Sequence, residues 1–454
     1  MNDRKRTFLL ETLPRLGGLA VCAVLLTVAA RCAGIAATPE GLFTAGVVSL
    51  CAASLVFFRE AALPAVSGCA LLLLGKNGLD PAAVSLMRPG LLLFLAGTMV
   101  VMAALKDLGL MTCLVQFVIN RRSVNGVTFC LLLAGISAFS AALFGGWVAV
   151  PVMCALVFQV CDALKLKPAP FVTMAAVSTN LGACMSLSGS PLSLFFGTSA
   201  TASYVAFLLH AAPAALALMV AATLTLIAVF QRDIRLLDRR LREQRERNRG
   251  LGPCMRLSCR RAVSLFLAFI LLLLCHAPLA GLLSRCTGVE LDPGSVLMLL
   301  PALFAVAILF ARPKRADAYL RESVDWKLIL FVAGLSVLSG TLRAEGICLA
   351  SFPFKDGAAT FLAGLLATPF TGDLAAGTLL AGVLPEKVAA CSCYPLLFGC
   401  AVGANLFATA SLTNLLAVRL LEEHTHRQTA WKHCLKAGIA VTVVCAVVYL
   451  LLFA

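Results

Sequence analysis

The run STNLGACMSLSGSPLSLFFGT, Ser178 to Thr198, lies inside a long apolar stretch yet carries Ser178, Thr179, Asn180, Ser186, Ser188, Ser190 and Ser193. Gly182, Gly189 and Pro191 in the same run loosen or break a helix. Inside a bilayer no water satisfies backbone groups freed by such a break. It is tolerated there only where it lines a cavity or is buried in protein. A polar, Gly/Pro-interrupted apolar segment therefore predicts a solute-binding break, and more so when the other half of the chain holds a counterpart. GANLFATASLTNLLA, Gly403 to Ala417, is that counterpart, with Asn405, Thr409, Ser411, Thr413 and Asn414.

Composition sets the surroundings of these breaks. The 454 residues are 61% hydrophobic and 13% charged, with mean hydropathy +0.96, where a soluble domain is nearer 45–50% apolar and about 25% charged. Apolar runs of about 20 residues, each enough to cross a hydrocarbon core, recur along the whole length. The chain reads as an all-α polytopic membrane protein in the lipid bilayer, with no room for a soluble domain between spans. The run from Leu13 to Ala37 is read as a first span rather than a signal peptide, because no small-residue cleavage site closes it. The 19 cysteines fall mostly within apolar runs, and the Cys391/Cys393 spacing fits no zinc pattern. They read as small, inert, buried thiols.

The net charge of +15 does not call for nucleic acid. Gln231 to Arg261 alone holds eleven arginines against four acids. Lys and Arg concentrate in cytoplasmic loops of membrane proteins. This segment and the N-terminus are therefore placed in the cytoplasm, with anionic headgroups a natural neighbour. The membrane is expected to be the plasma (inner) membrane.

An internal repeat organises the rest. RPGLLLFLAGTMVVMAALKDLGL (Arg88–Leu110) aligns without gaps on DWKLILFVAGLSVLSGTLRAEGI (Asp325–Ile347), with Phe94/Phe331, Ala96/Ala333, Gly97/Gly334 and Gly109/Gly346 among the identities. The two polar breaks follow in the same order, Asn180 pairing with Asn405. In the first copy basic residues come after the span (Lys106, Arg121, Arg122), and in the second before it (Arg312, Lys314, Arg315, Arg321). With Lys and Arg kept inside, the copies cross in opposite directions, an inverted repeat. The expected division is scaffold helices at 1–87, a first repeat with hairpin and broken helix at 88–230, and a basic cytoplasmic loop at 231–261. Second-half scaffold helices at 262–324 and a second repeat at 325–454 complete it.

STNLGACMSLSGSPLSLF is similar to the TNxGGxxxxxGxPxN-type signature of the ion transporter superfamily, which includes arsenite permeases, Na+/H+ antiporters, and citrate and dicarboxylate transporters. Asn180, Gly182, Gly189 and Pro191 fall on its positions, and Ser193 replaces the final Asn. Gly403, Ala404, Asn405 and Asn414–Leu416 resemble a second, shorter copy. Ser137–Pro151 resembles the family's first re-entrant hairpin, with Ala141–Ala142 where a polar tip is usual. Thr371–Pro385 resembles the second and keeps Asp373. The resemblance implies two re-entrant hairpins and two broken transmembrane helices meeting near the bilayer midplane. It also implies a scaffold that often forms a homodimer.

The candidate site follows from both readings. A half-helix starting after Gly189–Pro191 would aim its positive end at an anion, with Ser178, Thr179, Asn180, Gly182, Ser186, Ser188 and Ser190 completing a neutral cradle. Asn405, Ser411, Thr413 and Asn414 form the opposing half. Asp373, a carboxylate at membrane depth, is the candidate for ion coupling, with Ser137 and Ser140 as oxygens for a cation. Asp107 and Asp162 read as surface charges. Cys184 reads as a space-filler, and His424, His426 and His433 as loop residues without a third metal partner. No phosphate-binding loop, nucleophile elbow or zinc motif marks an enzyme.

The expectation is a secondary active transporter of a small anion or weak acid, such as arsenite, citrate or another carboxylate or oxyanion. It needs no cofactor beyond Na+ or H+ as coupling ion, and a separate ATPase partner is compatible with the sequence. A Na+/H+ antiporter and a transport-inactive scaffold or receptor are the alternatives.

Overall fold

A computed structural model describes residue 24 and residues 39–57, 62–75, 85–109, 125–199, 204–247, 257–288, 290, 292–344, 357–383, 386–407, 410–425 and 430–453. The expected first span apart from residue 24, residues 110–120, Thr409 and His426 lie outside them. Every regular element among the described residues is helical. The first half runs α1 (Pro39–Phe57), α2 (Ala62–Gly75), α3 (Pro89–Asp107), α4 (Gly126–Phe144), α5 (Gly146–Leu164), α6 (Ala169–Gly182), α7 (Pro191–Ser199) and α8 (Tyr204–Val229). Then come α9 (Gln231–Arg247), α10 (Leu257–Leu274), α11 (His276–Thr287), α12 (Pro293–Ala311), α13 (Pro313–Ala318) and α14 (Trp326–Ala344). The second half ends with α15 (Gly357–Thr371), α16 (Asp373–Val383), α17 (Glu386–Gly403), α18 (Leu412–Thr425) and α19 (Ala430–Leu452).

Among the described residues three helices, α4, α8 and α12, are each long and apolar enough to cross a membrane. Two more such spans form if bent pairs are joined, α10 with α11 and α13 with α14. Helices α8 and α12 are apolar all round. Leu209, Leu224, Leu303 and Phe310 stand exposed on their outer faces, a composition that lipid rather than water must cover. Asp292 caps α12, accepting the Ser295 N–H at 2.9 Å, and Pro293 takes the first helical position, where no N–H is needed.

The repeated helices α3 and α14 pack in a crossed manner. Helix α3 lies against α12, and α14 lies against α2, so each rests on the helix that leads into the other half. A Cβ at Gly97 would strike the backbone of Pro301 and Ala302, and one at Gly334 would strike that of Ala65. The absent side chain is what allows each crossing. Both glycines therefore meet a Leu-Pro-Ala sequence, Leu63–Ala65 or Leu300–Ala302. Pro64 precedes Gly97 by the same interval as Pro301 precedes Gly334.

Two helical hairpins lie inside this frame, α4–α5 and α15–α16. Each turns on one glycine in the left-handed region, Gly145 at φ 85° and Gly372 at φ 88°, where a Cβ would be strained. The Gly145 N–H donates to the Ala141 carbonyl and the Gly372 N–H to that of Thr368. Ala141 and Ala142 thus belong to the last turn of α4. The tip expected at them sits at Gly145 instead, because glycine alone supplies the positive φ. The stretch Thr371–Pro385, expected to be a whole hairpin, supplies only the turn and second arm, with α15 as the first. The arginine-rich segment expected as a loop is largely helix α9. Its spacing of Ile234, Leu237 and Leu241 lets it bury one face.

Candidate functional site

Four helix starts converge on one cavity. Its walls include Gly146 at the start of α5, Ser190 to Leu192 at the start of α7, Asp373 and Leu374 at the start of α16, and Thr413 at the start of α18. Helix N-termini carry partial positive charge, roughly half an elementary charge each when unscreened. The cavity occupies about 40 Å³, enough for a few waters and well under the roughly 300 Å³ of a small-molecule pocket. Among the described residues no Lys or Arg lines it, and Asp373 is its one carboxylate.

Both breaks follow one local plan. Helix α6 ends at Gly182 and gives way to a tighter turn over Ala183–Met185. Ser190 then caps α7. Its Oγ accepts the Ser193 N–H at 2.9 Å, its carbonyl accepts from Leu194, and Pro191 is the first helical residue. In the second break α17 ends at Gly403 and Ser411 caps α18. There the Oγ accepts the Thr413 N–H at 3.2 Å and the carbonyl accepts from Leu415. Midway along α7, Arg88 donates at 3.2 Å to the Phe195 carbonyl, which faces the helix's C-terminal half. Its guanidinium lies 4.2 Å over the Phe195 ring, a cation toward the helix's negative end.

The paired asparagines meet. Asn180 Nδ2 donates to Asn405 Oδ1 and Asn414 Oδ1, each at 3.0 Å, and Asn180 Oδ1 accepts from Ser411 Oγ at 3.2 Å. Asn405 and Asn414 in turn donate to the Ala401 and Ala404 carbonyls. All three asparagines and Ser411 are buried, and every amide nitrogen in the group has a partner. Asp373 Oδ1 accepts the Leu374 N–H at 2.8 Å, and the Ser411 hydroxyl lies within hydrogen-bonding reach of the same carboxylate. Ser411 therefore has one proton and two acceptors, an amide oxygen from the first half and an acid from the second. The thiol of Cys184, expected only to fill space, lines the cavity and donates to the Asn180 carbonyl at 3.6 Å.

The remaining serines fall elsewhere. Ser186 and Ser188 both donate to the Ala142 carbonyl, and Ser188 also bonds the Tyr204 hydroxyl at 2.9 Å. They fasten the first break to the hairpin instead of facing the cavity. A Cβ at Gly182 would strike the Ala138 backbone, and one at Gly189 the Ala183 carbonyl. Ser137, Ser178 and Thr179, on the packed helices α4 and α6, have buried hydroxyls with no hydrogen-bond partner among the described residues. Ser140 is buried on α4.

Sequence reasoning missed two residues of this region. Tyr204 carries no motif. Gly146 packs against Thr413 and Thr179 and could have been found, because Gly145–Gly146 answers Gly372–Asp373 in the other half. The acids read as surface charges also join helices. Asp107 accepts from Arg315 at 2.6 Å and from the Tyr319 hydroxyl at 2.8 Å. Asp162 bonds His424 at 3.1 Å, whose ring stacks on Phe158. No group of three or more His, Cys, Asp or Glu suited to a metal occurs among the described residues.

A family model described as "Citrate transporter" matches residues 18–410. Similar proteins include two from Mycobacterium tuberculosis, each named "Uncharacterized transporter". One is 26% identical over 380 residues and the other 24% over 384, with 78% of this chain and 84% of each relative covered. A "46 kDa membrane protein" of Mycobacterium leprae is 22% identical over 374 residues, covering 77% of this chain and 82% of its own.

Proposed function

The chain belongs to this citrate transporter family, an integral membrane transporter rather than an enzyme, and we propose that it moves a small carboxylate or oxyanion by ion-coupled secondary active transport. One observation carries the reading: four helix starts surround a cavity whose polar lining includes Asn180, Ser190 and Thr413, with Asp373 its one carboxylate among the described residues. Their summed dipoles favour an anion without the cost of burying an unpaired Lys or Arg.

The binding residues are Asn180, Asn405, Asn414, Ser411, Thr413 and the α7 start at Ser190–Pro191. In the present form the three amides satisfy one another across the two halves. Admitting a carboxylate exchanges those bonds for bonds to its oxygens, so buried polar groups are satisfied in both states. The cavity is too small for a tricarboxylate, so loading requires the two breaks to part. Asp373 would then face the solute's negative charge. Bringing H+ or Na+ to it removes the repulsion, which couples the ion to the solute. The hydroxyls of Ser137, Ser178 and Thr179, unpaired among the described residues, and that of Ser140, one turn beyond Ser137 on α4, suit a hard cation such as Na+.

Supporting an inverted-repeat mechanism are the crossed glycine contacts of α3 and α14, the matched glycine-turned hairpins and the two serine-capped breaks. In this reading the hairpins are re-entrant and the two sets rock about the midplane. The N-terminus and the arginine-rich segment lie in the cytoplasm, at the plasma (inner) membrane.

Reconstitution tests this. Vesicles containing the protein should accumulate citrate, or succinate, sulfate, phosphate or arsenite, when a proton or sodium gradient is imposed, and Asn180→Ala should abolish the uptake. Sodium-driven proton movement without any solute, lost in Asp373→Asn, would replace the reading with a Na+/H+ antiporter. Failure to move any solute or ion would leave a scaffold or receptor.

A further inference from the structure

Helix α9 begins just beyond the end of α8, a 26-residue apolar helix. Phe230, Ile234 and Leu237 are buried, and Leu241 packs on the same core, so one stripe of α9 faces the start of α4 and the end of α5. Arg232, Arg235, Arg239 and Arg242 lie outside that stripe and are exposed, with Arg235 at its flank. Arg239 and Arg240 pair with Glu243, and Arg242 with Asp238. Arg232 and Arg235 have no ion pair among the described residues.

A cavity of about 400 Å³ opens between α9 and the start of α4. Val127, Ile227 and Ile234 give it an apolar floor, and Thr128, Gln231 and Arg235 a polar rim. Asp238 also lines it, but its carboxylate is engaged by the Gly126 N–H at 3.1 Å and by Arg242 at 2.9 Å. Helix α8 turns from apolar to charged at this level, and α4 becomes apolar at the same level. The cavity therefore sits where a bilayer's headgroups meet its hydrocarbon. A soluble anion needs the arginine but not the apolar floor, whereas a lipid uses both.

We propose that this cavity and the adjoining Arg232 bind the headgroup of an anionic phospholipid, with its glycerol and first acyl carbons on the Val127–Ile227–Ile234 floor. The ligand would neutralise the two unpaired arginines and hold α9 against α4. Because α4 runs from Gly126 to the Gly145 turn beside the solute cavity, the lipid would steady the first hairpin from its outer end.

The test compares lipids on the purified, detergent-solubilised full chain. Phosphatidylglycerol should raise its thermal midpoint and phosphatidylcholine should not. Arg232→Ala/Arg235→Ala should raise the phosphatidylglycerol needed for half-protection on the order of tenfold, since each basic residue near a charged surface contributes a few-fold in binding. Arg239→Ala/Arg240→Ala, which removes arginines paired within α9, should stay within about twofold of the parent, and Arg235→Lys should keep the lipid preference. Equal protection by phosphatidylcholine, an equal loss in the Arg239/Arg240 variant, or no preference in Arg235→Lys would overturn the proposal. Protection by soluble glycerol phosphate as strong as by the lipid would assign the cavity to a free phosphate compound and overturn the lipid assignment.

Discussion

In the first break Ser190 caps α7 and Pro191 opens it; in the second Ser411 caps α18 and Leu412 opens it. The backbone plan is shared, but the side chains are distributed unequally. The first break contributes one amide, Asn180, and uses Ser186 and Ser188 to grip the Ala142 carbonyl of the neighbouring hairpin. The second contributes Asn405, Asn414 and Ser411, with Asp373 of its own hairpin beside them. Where Asp373 starts α16, Gly146 starts α5. One half supplies most of the polar side chains in this network and the acid; the other supplies a braced wall with a single amide set into it.

Asn180 joins the two sides, so its loss should have the largest effect. In Asn180→Ala the carbonyl oxygens of Asn405 and Asn414 lose their donor, and each buried orphan costs about 1–3 kcal/mol. Uptake should fall by at least about a hundredfold and the thermal midpoint by several degrees. If Asn405→Ala and Asn414→Ala are each as damaging as Asn180→Ala, the asparagines act as one unit; if both are mild, the central place of Asn180 is wrong.

Asp373→Asn ranks next. It keeps the shape and removes the charge that separates the hairpins, so binding should persist while uptake loses its response to an imposed proton or sodium gradient. Gly146→Asp sharpens the same contrast. A second carboxylate among the four helix starts should weaken anion uptake, and its side chain must also displace Thr413. Uptake equal to the parent's would show that the asymmetry of acids carries no function.

Ser188→Ala should separate bracing from recognition. Losing its bonds to Ala142 and Tyr204 should cost about 1 kcal/mol of stability, read as a lower midpoint, with the half-saturating solute concentration unchanged. A large change in that concentration would move Ser188 into the binding set. The smallest effect belongs to Arg315→Ala. Its partner Asp107 is partly exposed and keeps the Tyr319 hydroxyl bond, so the loss should stay within about 1 kcal/mol.

Much of this architecture was legible in the chain. The two breaks announced themselves because serine, asparagine, glycine and proline have few reasons to cluster in an apolar run, and Asn180 and Asn405 were paired by order alone. That Asn180 bonds Asn405 and Asn414 directly was not legible: hydrogen bonds across more than 200 residues of chain leave no local trace. Ser186 and Ser188 were drawn into the cradle because a hydroxyl's sequence context does not say which carbonyl it will meet. The first hairpin tip was set three residues early, at the alanines, when the backbone conformation required the glycine. The amphipathic character of α9 was hidden by its charge, since Ile234, Leu237 and Leu241 are few among so many arginines.

The crossing at Gly334 has a consequence for how the molecule is made. Its contact, Ala65, leaves the ribosome some 270 residues earlier, and at a synthesis rate of about 5–20 residues per second it waits roughly a quarter of a minute to a minute for its neighbour. Throughout that interval α2 must stay in the membrane with its packing face unoccupied, covered by lipid or by the insertion machinery. The nascent first half is thus an unfinished surface that only the last third of the chain can close, and truncated transcripts should yield products that quality-control proteases remove.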